Sequence, residues 1–238
     1  MHKEANDVAI KVTDLDRYYL IDGKQSAIYK NLTLEAKAGE VTLIMGASGS
    51  GKSSLLRQIA LLDNIPKGDI FYGHQSVATL GKAKKAKIRA KNLGFIFQSF
   101  ALIPEFSVLE NCALPLLMNG SKRTEANHKA KDYIKRFMNE IDPDKKPNEL
   151  SGGEQQRVAI IRALIHEPSV VIADEPTGNL DEINAEFIKS ELKRIAKSLG
   201  SAVIIVSHDK SFIESADAYY QLDACPNGLS KSLLTRYK

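Results

Sequence analysis

The sequence predicts an α/β fold built around a parallel sheet, and three observations carry that prediction. Four short apolar, β-rich runs, Val41 to Met45, Leu93 to Phe97, Val170 to Ala173 and Ala202 to Val206, are each followed by a polar or glycine-containing stretch, as strands buried on both faces are. Between the last two, Ile188, Leu192, Ile195 and Leu199 recur at helical spacing and Gly200 supplies a C-terminal stop, so strand, helix and strand form a crossover unit. Finally, GASGSGKS at 46–53 joins the first strand to a helix-forming run, Ser54 to Leu62, and fits the pattern G-x-x-x-x-G-K-[ST] of a phosphate-binding loop.

The elements follow in order. Residues 1–35 alternate in DVAIKV and LTLEAKAGE, which predicts antiparallel strands joined by a turn near Asp22 and Gly23. After the loop and its helix, the lysine-rich stretch GKAKKAKIRAK at 81–91 predicts a solvated loop or helix face, with anionic lipid as the alternative contact. From Phe100 to about Ile141 the β signal fades. There SVLENCALPLLM and TEANHKAKDYIKRFMNEI predict helices separated by NGSKR, an inserted helical subdomain. Pro143 and Pro147 mark the loop out of it into LSGGEQQR at 150–157. The whole reads as one domain, 6–238, with a core at about 6–98 and 159–238 and the helical subdomain at about 99–158.

Composition narrows the function. With 43% apolar residues the 238-residue chain can bury a real core, and a net charge of +4 over 26% charged residues demands no nucleic acid, so none is expected as a partner. Cys112 and Cys225 lie far apart without zinc or disulfide spacing. The longest apolar run, CALPLLM, is too short to span a bilayer, so a soluble or peripheral protein is expected whose membrane role comes through another chain.

The chemistry lies at one edge of the predicted sheet. Gly46, Gly49 and Gly51 let the backbone of Gly46, Ala47, Ser48, Gly49, Ser50, Gly51, Lys52, Ser53 and Ser54 turn its N–H groups toward phosphate oxygens, and the following helix adds its dipole. Lys52 is expected on the β and γ phosphates, and Ser53 on Mg²⁺. Asp174 and Glu175 end a buried strand, where two carboxylates are costly unless they meet a cation or a proton; Asp174 suits Mg²⁺ through its water shell and Glu175 the water that attacks the γ-phosphate. Parallel strands present their C-terminal ends together, so Gln98 and His208 reach the same edge. One nucleotide does not need two anion cradles, yet Ser151, Gly152 and Gly153 open a second helix with a second one.

The ordered set GASGSGKS, Gln98, LSGGEQQR, VVIADEPTGNLD and SHD resembles the ATP-binding subunit of ATP-binding cassette transporters over nearly the whole chain. The resemblance implies a P-loop NTPase fold: a RecA-like core with a parallel sheet, an N-terminal antiparallel β subdomain and an inserted helical subdomain. It implies an ATPase using ATP and Mg²⁺. In the family two subunits pair head to tail, and each LSGGE loop closes on the γ-phosphate held by the partner's first loop, so the second cradle acts in trans. The same resemblance assigns Asp174 and Gln98 to the metal, Glu175 as catalytic base, His208 as switch histidine, Gln98 also as γ-phosphate sensor, Asp181 as a cross-dimer contact, and Tyr19 as the residue stacked on adenine, with Tyr18 beside it as the competitor.

GASGSGKSS, GFIFQSFALIPEFSVLENCALPLL and EPTGNLD together are similar to the ATPases of the lipoprotein-releasing system and the macrolide-type exporters. This branch implies a peripheral subunit on the cytoplasmic side of the inner membrane, driving extrusion or extraction through a separate membrane permease. Residues 99–117 are the expected grip on that permease, with Phe100, Leu102, Ile103 and Phe106 either exposed for it or, equally, part of the core of the helical subdomain. The alternative is a regulatory cassette of the cell-division type that moves no substrate.

Overall fold

The structure, a computed structural model, describes residues 7–21, 24–138, 141–178, 180–223 and 233–237. Two long strands, β1 (Val8–Ile21) and β2 (Lys24–Lys37), pair antiparallel, and the short β4 (Asp69–Tyr72) and β5 (Gln75–Ser76) complete a four-stranded sheet in the order β2-β1-β4-β5. The turn expected at Asp22 and Gly23 lies outside the described residues, as does Cys225.

The second sheet carries the chemistry. Its strands β3 (Val41–Met45), β6 (Leu93–Ile96), β7 (Val170–Asp174), β8 (Ala202–Val206), β9 (Ala218–Asp223) and β10 (Leu233–Arg236) run in the order β10-β9-β3-β8-β7-β6. Every pairing is parallel except that of β10 with β9. Side chains alternate along a strand, so Val41, Leu43 and Met45, with Val171, Ala173, Val203 and Ile205, face a core of helices. Ile44, Val170, Ile172, Ile204 and Val206 face the antiparallel sheet and the helix after β3. Both faces are therefore buried, which is why these strands read as uninterrupted apolar runs.

The helices obey local signals. α1 (Lys52–Ile59) starts two residues before the expected Ser54 and stops short of Leu62, because Leu61 adopts a φ of 57°. α2 (Lys82–Asn92) is the lysine-rich stretch and buries none of its residues. α3 (Val108–Met118) opens on a capping box in which Ser107 Oγ accepts from the Glu110 N–H and Glu110 accepts from the Ser107 N–H. α4 (Arg123–Met138) and α5 (Gly152–Leu164) pack with α3 against the β6 edge of the sheet. α6 (Glu182–Leu199) is capped by Asp181 and ended by Gly200 in the left-handed region; a short α7 (Phe212–Ser215) leads to β9.

Phe100, Leu102, Ile103 and Phe106 are half-buried, between the exposed and the core placement expected of them. The cause is a set of side chains that pull this segment back on the helices. The buried Asn111 exchanges hydrogen bonds with the backbone of Ile103 (2.9 and 3.1 Å) and donates to Phe106 O (3.1 Å), while Arg162 donates to Phe100 O (2.7 Å). The larger apolar exposures nearby fall at the end of α3, on Leu117 (37%) and Met118 (71%). Among the described residues no helix is long and apolar enough to cross a membrane.

Candidate active site

β3 delivers the chain into the first loop at the buried Gly46, and residues 47–49 are exposed. Gly51 turns it into α1 with a φ of 99°, a conformation that side chains resist, and a Cβ there would lie 2.5 Å from Ile28 Cγ2. No side chain caps α1, so its first N–H groups remain available to an anion. Lys52 folds across the loop, its Nζ donating to Gly46 O (2.7 Å) and Ala47 O (3.0 Å), which holds an ammonium at the mouth of the cradle. Ser53 is exposed, Ser54 half-buried and Ser50 buried.

The carboxylates arrive two strands away. The register of β7 on β8 sets Asp174 opposite Val206, so Glu175 meets the residues that follow β8. Its N–H donates to Val206 O (2.8 Å) at a φ of 46°, an uncommon left-handed backbone for a non-glycine residue. Its Oε2 accepts from Ser207 Oγ (3.0 Å), and its Oε1 lies 2.9 Å from His208 Nδ1. The Glu175 side chain is 15% exposed and the His208 side chain 72%, so the carboxylate sits in the wall and the imidazole in the opening. Burial, and then the charge of Glu175, hold the Asp174 carboxyl above the ordinary carboxylate range, against the opposing pull of Lys52 and a hydrogen bond with Ser53. Gln98 lies just past β6; its Nε2 would stand 3.0 Å from a Cβ on Gly178, in the turn that leaves Glu175.

Ser207 is the residue the sequence reading passed over. It is fully buried, its Oγ accepts from Asp209 N (3.1 Å) while donating to Glu175, and its N–H donates to Ile44 O (3.2 Å). A polar residue directly after a wholly apolar strand was the available signal.

The donors gathered here suit a hard cation. Ser53, Asp174 and Gln98 offer oxygen only, with a single carboxylate whose ionised form lacks full compensation, and among the described residues no group of three or more His, Cys, Asp or Glu could hold a metal. Such a set matches Mg²⁺, which keeps waters and takes phosphate oxygens, and does not match zinc.

The second cradle stands elsewhere. Ser151 caps α5, accepting from Glu154 N (3.3 Å) and donating its own N–H to Glu154 Oε2 (2.7 Å). Ser151 and Gly152 are exposed, and Gly153 abuts α6 so closely that a Cβ would come 2.7 Å from Asn184 Oδ1. The Asp181 carboxylate accepts from the backbone N–H and the side-chain amide of the same Asn184 (both 2.8 Å), so the two features expected to act across a dimer share one face. A cleft of about 330 Å³ opens there between Ser151, Glu154, Arg157, Asn184 and Met138. Tyr19, on β1, is 44% exposed, whereas the neighbouring Tyr18 hydroxyl is tied to Asp16 Oδ2 (2.7 Å).

Comparison with known proteins agrees with this geometry. The family model described as "ABC transporter" matches residues 29–178. Lipoprotein-releasing system ATP-binding proteins LolD are similar: that of Idiomarina loihiensis is 39% identical over 94% of this chain and 96% of its own, and that of Pseudoalteromonas translucida 40% identical over 92% and 94%. The dimeric structure of a post-hydrolysis state of the ATP-binding cassette MJ0796 bound to ADP and Pi superposes with a TM-score of 0.83 at 32% identity, covering 96% of this chain and 99% of that one. A second dimeric structure of MJ0796, a bacterial ABC transporter cassette, gives 0.84 at 34% identity over the same shares. A phosphate loop, a strand-end carboxylate pair and a separate serine-glycine cradle on this scaffold have one consistent reading: the chain belongs to the ABC transporter family, as an ATP-binding and ATP-hydrolysing subunit with the P-loop fold.

Proposed function

We propose that the chain works as an ATP-dependent head-to-tail homodimer on a separate membrane permease, at the cytoplasmic side of the inner membrane, and drives lipoprotein extraction or export. The observation that carries this is the separation of the two cradles. Gly46 to Ser54 follow β3, inside the sheet, whereas Ser151 to Gly153 open α5 beyond β6, with β8 and β7 between them. A cradle set apart from its own chain's loop fits a phosphate held by a second copy. The LolD relatives, named for lipoprotein release, supply the cargo class, and the dimeric cassettes supply the assembly.

In this reading the loop N–H groups and Lys52 hold the β and γ phosphates, and Tyr19 offers its exposed face to adenine while Tyr18 stays bound to Asp16. Ser53, Asp174 and Gln98 are the residues that would hold Mg²⁺, which when bound neutralises charge on the phosphate oxygens. Glu175 takes a proton from the attacking water, and Ser207 and His208 hold its carboxylate in the wall of the site. Ser151, Gly152, Gly153 and Asp181 of each copy complete the partner's site. Closure of the dimer then becomes a condition for hydrolysis, because the γ-phosphate is fully coordinated only when the second copy arrives.

Capture of tagged Glu175→Gln protein from gently solubilised membranes with MgATP tests this reading. It expects a dimer carrying a membrane protein with few spans and a large outer domain; a monomer, or a many-span permease, overturns it.

A further inference from the structure

We propose that the outer face of α2 is a contact for the headgroups of an anionic phospholipid surface. The inference rests on the membrane-subunit reading above, and it concerns a surface that the ATPase chemistry does not use.

α2 breaks the rules by which a surface helix is stabilised. Its eleven residues, KAKKAKIRAKN, include six bases and no acid, none is buried, and its N-cap Gly81 makes no side-chain cap. Lys82, Lys84 and Lys85 crowd the positive end of the helix dipole, where anions belong. Lys82 and Lys85, Lys84 and Lys87, Lys85 and Arg89, and Lys87 and Lys91 stand at i,i+3 or i,i+4, and each such like-charge pair costs about 0.2–0.5 kcal/mol. Two of the bases are absorbed locally: Lys85 donates to Ala78 O (3.5 Å) and Arg89 to Leu61 O (2.8 Å). Lys82, Lys84, Lys87 and Lys91 form no ion pair among the described residues. A helix that sets Ile88 against the core but leaves its outward lysines without internal charge balance is favoured when opposite charge is supplied from outside.

Its surroundings say which kind. Asn119 at the end of α3 donates to Ala90 O of α2 (2.9 Å), so the exposed Met118 and Leu117 lie at the C-terminal end of α2, where Lys91 follows Ala90. An apolar groove of about 270 Å³ runs from Ala90 and Leu93 past Pro115 and Met118 to His166. Unpaired lysines flanking protruding apolar side chains match an interface with headgroups above and hydrocarbon below. A free anion would use the lysines and leave Met118, just past the expected permease grip, unexplained. The chain also belongs to a family that works at membranes.

The test is cosedimentation of the full chain with phosphatidylcholine vesicles, with or without about 30 mol% phosphatidylglycerol, across a salt series. Binding is expected only to the anionic vesicles and is expected to fall with salt. Combined Lys82→Gln, Lys84→Gln, Lys87→Gln and Lys91→Gln substitution should weaken it by about six-hundredfold, each lysine near such a surface being worth about a factor of five. A control of equal net charge, Lys122→Gln, Lys131→Gln, Lys135→Gln and Lys193→Gln, should bind as wild type does, and both variants should hydrolyse ATP normally in solution. Equal weakening by the two variants, binding to neutral vesicles alone, or no binding by wild type would each overturn the proposal. The Glu175→Gln capture described above tests the membrane-subunit reading by itself, so its failure and a failure of vesicle binding are told apart.

Discussion

The carboxylate of Glu175 and the imidazole of His208 meet at 2.9 Å across the ends of two neighbouring parallel strands, thirty-three residues apart in the chain. Strand register alone brings them together. Beneath them the buried Ser207 hydroxyl holds the other carboxylate oxygen, so the two oxygens have separate partners and the carboxylate has a defined orientation.

Ser207→Ala should therefore slow hydrolysis by about tenfold, the value of one hydrogen bond to a charged group, with nucleotide affinity unchanged. Steady-state turnover beside equilibrium titration of a fluorescent ATP analogue separates the two. An equal loss of binding would show that Ser207 supports the fold of the loop instead of the orientation of Glu175.

Lys52→Ala removes the ammonium held at the mouth of the loop by Gly46 O and Ala47 O. Affinity for ATP should fall by about a hundredfold or more, since two charge-assisted contacts to phosphate are lost. Calorimetric titration checks it, and undiminished affinity would remove Lys52 from the phosphate site.

Ser151→Arg fills the second cradle while leaving the first loop intact. Alone, neither it nor Lys52→Ala should hydrolyse ATP. Mixed in equal amounts they should recover on the order of a quarter of wild-type turnover, because half of random pairs contain one complete site out of two. A mixture as inactive as its parts would mean that each chain completes its own site.

Burial, and to a smaller extent Lys129, depress the pKa of His166 below its ordinary 6.5, and its ring Nε2 lies 3.1 Å from Leu93 O while the buried Nδ1 has no partner among the described residues. The unfolded chain then binds a proton that the native state resists, so stability is full above about pH 6.5 and declines as pH falls toward the depressed value. Thermal melts from pH 7.5 to 5 should show a steeper drop for wild type than for His166→Phe. Parallel curves would assign the acid sensitivity to other groups.

Much of this protein was legible because much of its logic is local. β3 and β8 carry the bounds read from their apolar runs, Gly51 and Lys52 sit where the loop pattern requires, and Ser151 and Asp181 cap helices through partners three residues away. A signal contained within a few residues survives without knowledge of the rest of the chain. β4, β5, β9 and β10 went unread, since DIFY and AYYQLD, short runs of mixed polarity that alternate buried with half-buried or exposed residues, become strands only by pairing with distant partners.

By itself, then, the sequence determined the phosphate loop, the strand-end carboxylates and the second cradle, each a short pattern whose chemistry follows from its own residues. The tertiary structure decided that Ser207 grips Glu175, that Asn111 and Arg162 pull Phe100 to Phe106 inward, and that Asn119 ties the end of α3 to α2 at Ala90. Those facts depend on strand register and on which surfaces face each other. They are set by summed burial over the whole chain, a quantity no local stretch contains.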